Sequence, residues 1–392
     1  MTEPARSEVA AVVERARAAQ AAIDHFTAEQ VDELTTAVAY AVARKDRAEQ
    51  LARLAVDEAG FGNYDDKVIK IQRRVLGVLS DLRATPTVGV VAEDPERGLT
   101  QIAKPVGVVA ALVPTTGPDA TPPVKALWAL AGRNAVVFAA HPRSAGTTRV
   151  VVDLMRDACE QVGAPSDLVQ VLPEPKIAAT QELMRLADLV VATGGAAMVK
   201  AAYSSGTPAF GVGVGNCVHV VDETADLVDA ANAIAVAKTF DHATSCLADN
   251  AVIVHDDVHD ELLGLLRARG GHLCSAEQKR ALQAVMWRRG RARARNPHRA
   301  GAGEPEPQRG RGQPPQRAAL HAQPRLRDLG RHHHNGEHQR PAFCEPDLGV
   351  QADRAPGHRR GRPVRRARPA VRSMSSMLGR ELFPVGCRRR GQ

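Results

Sequence analysis

The segment KPVGVVAALVPTTGPDATPPVKALWALAGRNAVVFAAHPRS, residues 104–144, decides the fold of this chain. Residues 106–113 form a wholly apolar run that ends at Pro114, which is typical of a strand buried on both faces of a parallel sheet. A helix over 122–131 and a second apolar strand over 135–139 follow this run. The order strand, helix, strand predicts the start of an α/β fold with a parallel sheet.

The alternation of strands and helices continues toward the C-terminus. The predicted elements are a helix over 145–162, a strand over 168–171, a helix over 177–186, a strand over 189–191 and a helix that ends near 202. This order predicts a doubly wound α/β sheet, in which ligands lie beyond the carboxyl ends of the strands. Loops 114–118 and 193–195 occupy that position, so we expect them to bind ligand.

The second of these loops is rich in glycine. Backbone N–H groups at the start of a helix can face a pyrophosphate only where no side chain intervenes, as at Thr193-Gly194-Gly195. The alternative is an ordinary turn, since the full GxGxxG dinucleotide pattern is absent. We predict that these three residues contact the phosphates of a cofactor.

Helical spacing dominates the segment before residue 84. Apolar residues recur three and four positions apart, Thr27 is suited to cap the helix over 31–42, and Gly60 and Gly62 end the helices that run up to residue 60. The period then changes to two over 87–91 and 99–103, which predicts a hairpin around a turn at 93–95.

The composition changes abruptly after Trp287. Residues 288–392 contain 25 arginines, eight acidic residues and no lysine, so they carry about +17 of a chain whose net charge is +8, and the preceding part carries about −9. We interpret this segment as disordered and translated out of frame in GC-rich DNA, because arginine, alanine, proline and glycine dominate it. The alternative is a genuine basic tail that binds nucleic acid. Its histidine run at 332–334 resembles a metal cluster by chance, and we predict no metal site.

The first 287 residues suit a folded protein of the cytoplasm. The longest apolar stretch is far too short to span a membrane. The N-terminal residues mix both signs of charge, unlike a secretory leader. Six cysteines without a CxxC pair favour a reducing compartment.

Three long segments resemble the CoA-acylating branch of the aldehyde dehydrogenase superfamily. They are the segment over 104–144, VVATGGAAMVKAAYSSGTPAFGVGVGN over 190–216 and VVDETADLVDAANAIAVAKTFDHATSC over 220–246. Within that branch TTGPDATPPVKAL, residues 115–127, and ATSC, residues 243–246, are most similar to sulfoacetaldehyde dehydrogenases. The resemblance runs from about residue 12 to Trp287 and then stops.

The resemblance implies a Rossmann-type cofactor domain and an α/β catalytic domain that is truncated here. We expect N-terminal helices and an NAD(P)-binding domain over 1–235, with oligomerisation strands at 86–104, and the start of the catalytic domain over 236–287. It also implies NAD or NADP as cofactor, coenzyme A and a small aldehyde as substrates, and homo-oligomers in intact members. We expect no membrane or nucleic-acid partner.

The resemblance places the catalytic nucleophile at Cys246. A thiolate adds to an aldehyde carbonyl and later leaves as part of a thioester, so cysteine suits both steps. The alternative is a small buried hydrophobic side chain, which describes most free cysteines. We expect Cys159, Cys217 and Cys274 to be structural.

A glutamate is missing from the matching position of the hydrolytic relatives. Those enzymes carry Glu in an E-L-G-G-K peptide, where it deprotonates the water that cleaves the thioester. Here Val212 stands in the Glu position, which favours release of the acyl group to coenzyme A. The alternatives are that Asp241 serves as the base, or that the enzyme is hydrolytic.

The remaining site residues follow from the same resemblance. The backbone N–H of Cys246 and the side chain of Thr116 are the expected donors to the oxyanion. The expected cofactor contacts besides the glycine-rich loop are Pro114, His141, Arg143, Gly213 and Gly215. The alternative for Arg143 is that it is an ordinary surface arginine at the start of a helix. We expect little activity from the chain as written, and the sequence leaves the aldehyde and the choice of NAD or NADP open.

Overall fold

The computed structural model describes residues 3–215 and 217–295. Four helices come first, α1 (Glu3–Ala22), α2 (Ala28–Ala43), α3 (Lys45–Ala59) and α4 (Tyr64–Arg83). The Thr27 side chain accepts a hydrogen bond from the Gln30 backbone, and the Gln30 side chain accepts one from Thr27, so the predicted cap of α2 is confirmed. Gly60 ends α3 in the left-handed conformation, as predicted.

A two-stranded antiparallel hairpin follows the helices. It consists of β1 (Gly89–Asp94) and β2 (Leu99–Ala103), with Gly89 opposite Ala103 and an irregularity between Val90 and Ala92. The predicted hairpin is confirmed, although its first strand begins two residues later than the alternation suggested.

Five parallel strands form the central sheet. They are β3 (Val108–Leu112), β4 (Ala135–Ala139), β5 (Val169–Val171), β6 (Leu189–Thr193) and β7 (Ala209–Val212). Their spatial order is β5-β4-β3-β6-β7. The connecting helices are α5 (Thr121–Ala131), α6 (Ala145–Gln161), α7 (Ile177–Leu186) and α8 (Ala196–Tyr203). This confirms the predicted doubly wound α/β fold, and every residue of β3 and β4 is buried, as their apolar runs predict.

Strand β3 starts two residues after the predicted start at 106. Gly107 has a positive φ of 117°, which is outside the β region, so the ladder begins at Val108. The Asp188 carboxylate occupies the space where a side chain at Gly107 would lie, and it accepts hydrogen bonds from the Val108 backbone and from Arg17.

A second group of strands and helices begins after residue 216. Strands β8 (Cys217–Val221) and β9 (Asp249–Val254) pair in parallel, and α9 (Leu227–Thr239) and α10 (Asp256–Ala268) cover them. Their hydrophobic cluster consists of Val221, Ala231, Ile234, Val254, Leu262 and Leu266, separate from the large core of the N-terminal helices and the central sheet. This cluster begins before residue 235, and the domain boundaries remain predictions.

The last described element is helix α11 (Ala276–Arg295), whose final residues fall in the segment predicted to be disordered. Alanine and arginine, which are frequent at the end of this helix, both favour helices. Disorder over 288–392 stays a prediction. The other predictions for 288–392, including the reading-frame interpretation, lie outside the described residues. Across the described part of the chain, no helix combines the length and apolar character needed to cross a bilayer.

Candidate active site

The strand order creates a crevice at the carboxyl edge of the central sheet. From β3 the chain proceeds to β4 and β5 on one side, and then to β6 and β7 on the other side. The order therefore reverses between β3 and β6, which is where doubly wound sheets bind ligands. The loop after β3 carries Pro114 and Thr116, and the loop after β6 carries Gly194 and Gly195, so both predicted loops flank this reversal.

The glycine-rich loop leaves the start of α8 open. Thr193 ends β6, and Gly195 is the residue that precedes α8, with no side chain capping the helix. No atom lies within 4 Å of the position that a Cβ at Gly195 would occupy. Gly194 is tied to β7, because its N–H donates to the Val212 carbonyl at 3.1 Å. The first N–H groups of α8 are thus accessible to an anion such as a phosphate.

His141 and Arg143 follow β4 at the same edge. The His141 Nδ1 accepts a hydrogen bond from the Arg143 backbone, and burial and the Arg143 charge lower the pKa of His141. The Arg143 guanidinium donates to the Ala59 carbonyl at 3.1 Å, at the end of α3. This contact joins the loop to the N-terminal helices, and the cofactor role of both residues stays a prediction.

Cys246 follows an unusual turn after α9. Residues Phe240–Ala243 form a short 3-10 turn, within which Asp241, His242 and Ala243 have φ values of 48°, 53° and 55°. Left-handed backbone is unfavourable for residues other than glycine, and three in succession need support from their surroundings. The chain then reaches Cys246, whose side chain is exposed.

The loop after β7 contacts the Cys246 peptide. A Cβ on Gly215 would collide with the Cys246 carbonyl oxygen, so only glycine permits this approach. The Gly215 carbonyl also accepts a hydrogen bond from Asn250, at 3.3 Å. Gly215 was predicted to bind cofactor, and the structure places it against the predicted nucleophile. Val212, at the end of β7, brings no carboxylate to this loop.

A cluster of buried charges lies beneath the site. Asp241 is fully buried, and its Oδ2 accepts hydrogen bonds from Lys70 at 2.7 Å, Lys67 at 3.2 Å and Thr244 at 2.8 Å. Its Oδ1 accepts a hydrogen bond from the Asn63 backbone at 2.9 Å. We call Lys67, Lys70, Asp119 and Asp241 the buried charge cluster.

The cluster keeps Asp241 ionised. Burial alone would raise the pKa of its carboxyl, but the charge and hydrogen bond of Lys70, the hydrogen bond from the Asn63 backbone and the charge of Lys67 together hold that pKa below its ordinary value. Burial also lowers the pKa of Lys70, yet Asp119 and Asp241 raise it overall. An enclosed carboxylate with its oxygens already paired cannot take a proton from water beside Cys246. The alternative that Asp241 acts as the base is contradicted by this geometry.

Thr116 lies near the same cluster. Its carbonyl accepts a hydrogen bond from the Lys70 ammonium at 3.4 Å. The role of its side chain as an oxyanion donor stays a prediction.

Among the described residues, no group of three or more His, Cys, Asp or Glu side chains is arranged to hold a metal ion. The histidine run at 332–334 lies outside them.

The two lysines of α4, Lys67 and Lys70, were not predicted to be part of the site. Lys67 lies four residues before Ile71, on the apolar side of an amphipathic helix, where a lysine requires a buried partner. A lysine at this apolar position was the sequence feature that could have indicated a buried charged site. The close approach of the His219 Nε2 of β8 to the Asp249 Oδ2 of β9, 2.8 Å apart, was also missed.

Comparison with known proteins identifies relatives that carry similar sequences. The chain is 47% identical over 275 residues to a sulfoacetaldehyde dehydrogenase of Acholeplasma sp, covering 70% of this chain and 57% of the relative. It is 47% identical over 287 residues to a sulfoacetaldehyde dehydrogenase (acylating) of Cupriavidus necator, covering 73% and 58%. The chain thus spans less than two thirds of the length of these relatives.

Solved structures show the same similarity. An acetylating aldehyde dehydrogenase from Geobacillus thermoglucosidasius matches with a TM-score of 0.68 and 37% identity, over 72% of this chain and 63% of that one. A propionaldehyde dehydrogenase from Rhodopseudomonas palustris, solved with bound CoA and an acylated cysteine, matches with a TM-score of 0.62 and 31% identity, over 71% and 62%.

The profile of the aldehyde dehydrogenase family matches residues 1–279, which include the crevice, the glycine-rich loop and Cys246. The resemblance predicted from the three long segments is confirmed, and the chain belongs to the aldehyde dehydrogenase family.

Proposed function

We propose that this chain carries the cofactor-binding part and the nucleophile of an NAD(P)-dependent, CoA-acylating aldehyde dehydrogenase. The observation that supports this most strongly is the exposed Cys246 against the loop after β7, where Val212 replaces the carboxylate of hydrolytic enzymes. The acylating relatives support the same reaction. Sulfoacetaldehyde is the proposed aldehyde, because both curated relatives described above are named for it.

In the proposed reaction the Cys246 sulfur attacks the aldehyde carbonyl and forms a thiohemiacetal. The backbone N–H of Cys246 and the side chain of Thr116 stabilise the oxyanion that develops. Loss of the hydrogen on the former carbonyl carbon as a hydride, which a bound nicotinamide would accept, then leaves an acyl group on the sulfur as a thioester. The thiolate of coenzyme A then attacks that thioester, and the Cys246 thiolate leaves.

The residues at the sheet edge suit a dinucleotide. Gly194 and Gly195 leave the start of α8 free of side chains, which suits a pyrophosphate. Pro114, His141, Arg143 and Gly213 are the other proposed contacts. When bound, the nicotinamide supplies the acceptor for the two electrons that the aldehyde loses.

Release to coenzyme A is favoured over hydrolysis because no base is available at the last position of β7. Val212 cannot accept a proton, and Asp241 is enclosed and paired with two lysines. Water needs such a base to attack a thioester, whereas a thiol becomes a strong nucleophile by ionisation alone.

Location and assembly belong to the same proposal. We propose that the protein acts in the cytoplasm, since six cysteines without a CxxC pair suit a reducing compartment. We also propose that copies associate through the β1–β2 hairpin, which exposes Val90, Leu99 and Ile102.

Acyl transfer from an acyl-CoA tests the nucleophile without requiring the whole oxidation. We expect the 392-residue chain, incubated with acetyl-CoA or sulfoacetyl-CoA, to gain one acyl group on the Cys246 peptide, as measured by mass spectrometry. The Cys246 sulfur forms the new bond to the acyl carbon, and the thiol of coenzyme A leaves with the proton. Added coenzyme A should remove the label faster than water does.

Two serine variants serve as controls. Cys246→Ser should abolish the stable thioester label, and Cys274→Ser, at a partly exposed cysteine, should leave it unchanged. Equal labelling of Cys246 and Cys274 would contradict the assignment of the nucleophile. Loss of the label in water as fast as with coenzyme A would instead indicate a hydrolytic enzyme.

A further inference from the structure

We propose that Lys70 is a positioning residue that ties the loop carrying Thr116 to the segment carrying Cys246. This inference rests on the proposed function, because it takes Cys246 as the nucleophile and Thr116 as an oxyanion donor. Lys70 belongs to α4, an N-terminal helix far from both loops in sequence. The positioning role therefore falls to a residue outside the two loops that contain Thr116 and Cys246.

The contacts of Lys70 reach both sides of the site. Its ammonium donates to Asp241 at 2.7 Å, within the segment that leads to Cys246, and to the Thr116 carbonyl at 3.4 Å. It also lies 3.7 Å from Asp119, just before α5. One charged group on α4 thus contacts two segments that are separated in sequence, the loop between β3 and α5 and the turn before Cys246, and its side chain is only 6% exposed.

Lys67 provides a comparison within the same helix. It lies one turn before Lys70, is equally enclosed and donates to Asp241 at 3.2 Å. Within the described residues, its ammonium makes no hydrogen bond to the loop over 113–118. Among the described residues Lys67 thus donates a hydrogen bond only to the Cys246 segment and reaches the Thr116 loop only through the charge of Asp119, whereas Lys70 donates hydrogen bonds to both.

The backbone around Asp241 explains why support is needed. Asp241, His242 and Ala243 are all left-handed, a conformation that relaxes unless the surroundings hold it. The Asp241 N–H donates to Asp66 at 2.8 Å, and its carboxylate receives both lysines and Thr244. These contacts fix the turn from both its backbone and its side chain.

Lys70 is also a charge partner of the buried Asp119 carboxylate. Both Asp119 oxygens are buried and lack a hydrogen-bond partner among the described residues, and Lys70 lies within ion-pair distance. Removing the Lys70 charge would leave Asp119 without that charge partner at the base of the Thr116 loop. We therefore expect a change at Lys70 to loosen both loops.

Hydrogen exchange of the full 392-residue chain tests the tie directly. In Lys70→Met we expect exchange to become about tenfold faster in peptides covering 113–118 and 239–247, the effect of losing a charge-assisted hydrogen bond. In Lys67→Met we expect a similar acceleration in 239–247 and a smaller one in 113–118, because Lys67 reaches that loop only through the charge of Asp119. Lys70→Arg, which keeps the charge and the donors, should restore protection of 113–118 in part. If Lys70→Met does not fold, Lys70→Gln replaces it.

Alkylation by iodoacetamide gives a second readout on the same proteins. We expect the rate at Cys246, divided by the rate at Cys274 in the same molecule, to change more in Lys70→Met than in Lys67→Met. Equal acceleration of exchange at 113–118 in both variants would overturn the tie, because it would indicate general loosening. Failure of acyl transfer to Cys246 would refute the proposed function while the exchange result still decides the role of Lys70.

Discussion

Lys125 is a buried lysine without a carboxylate partner at ion-pair distance among the described residues. It lies on α5, and its ammonium donates to the Leu112 carbonyl at 2.7 Å and to the Val191 carbonyl at 2.8 Å. These carbonyls belong to β3 and β6, the two strands between which the order of the sheet reverses. Burial lowers the pKa of Lys125 to about 7, so its charge is marginal at neutral pH.

This pKa predicts a pH dependence of stability. Between about pH 7 and the ordinary lysine pKa of about 10.4, the unfolded chain binds a proton that the folded chain releases, so the contribution of Lys125 to stability rises with pH. As the pH rises through this range, the unfolding free energy of wild type should therefore increase relative to that of Lys125→Met, by at most about 1.4 kcal/mol per pH unit.

Urea unfolding at several pH values across that range measures this shift. Lys45→Met is the matched control, because Lys45 is a largely exposed lysine and its removal should give a difference that hardly depends on pH. A difference for Lys125→Met that stays constant with pH would show that Lys125 is charged throughout the range.

At the level of single residues, sequence motifs indicate candidate catalytic residues, but they do not indicate the distant residues that hold those candidates in place. Cys246 could be proposed as the nucleophile because it is the one cysteine in a long matching peptide, and Val212 could be singled out because it stands in the Glu position of another. Lys70 and Asp241 lie 171 positions apart, and no local pattern indicates that they meet. The same limit applies to Arg143, whose contact with Ala59 depends on the packing of α3 against the loop after β4.

The loop after β7 lies in close contact with the Cys246 segment. Gly213 and Gly215 both belong to it, and the sequence gives them equal weight as cofactor residues. The structure separates them. A Cβ at Gly213 would meet no atom within 4 Å, whereas one at Gly215 would strike the Cys246 carbonyl and lie 3.6 Å from its Cβ.

We therefore predict different outcomes for two alanine substitutions in this loop. Gly215→Ala should push the Cys246 segment away and cost about 1–3 kcal/mol of unfolding free energy, as overpacking does. Gly213→Ala should change that free energy by less than about 1 kcal/mol and leave the alkylation rate of Cys246 unaltered. Thermal unfolding and iodoacetamide labelling measure both effects, and equal behaviour of the two variants would show that the loop does not constrain Cys246.

The elements themselves followed from the sequence with small errors at their ends. The central strands were predictable because continuous apolar runs require burial on both faces. Their starts were less so, since the conformation of Gly107 depends on Asp188, which is distant in sequence. The turn at Asp241–Ala243 was unpredictable, because no glycine or asparagine signals its left-handed backbone.

Taken as a whole, the described part of the molecule exposes a regular apolar surface. We call Phe210, Val212, Val214, Val218 and Val220 the apolar strip. These alternate residues lie on β7, on β8 and between them, and are 43–86% exposed. Exposed apolar side chains in such numbers bind hydrophobic probes or other proteins. Strand β7 is also an edge of the central sheet, where backbone groups remain open to pairing.

The strip predicts that the full chain binds a hydrophobic dye such as anilinonaphthalene sulfonate in its native state and associates as its concentration rises. Phe210→Ser combined with Val220→Thr should reduce dye fluorescence and association, while changing the unfolding free energy by less than about 1 kcal/mol, because both side chains are exposed. Ile177→Thr, at an equally exposed position at the start of α7 and outside the strip, is the control and should leave dye binding nearly unchanged. Fluorescence titration and light scattering measure these quantities, and a reduction as large in the control would mean that the apolar strip has no special part in association.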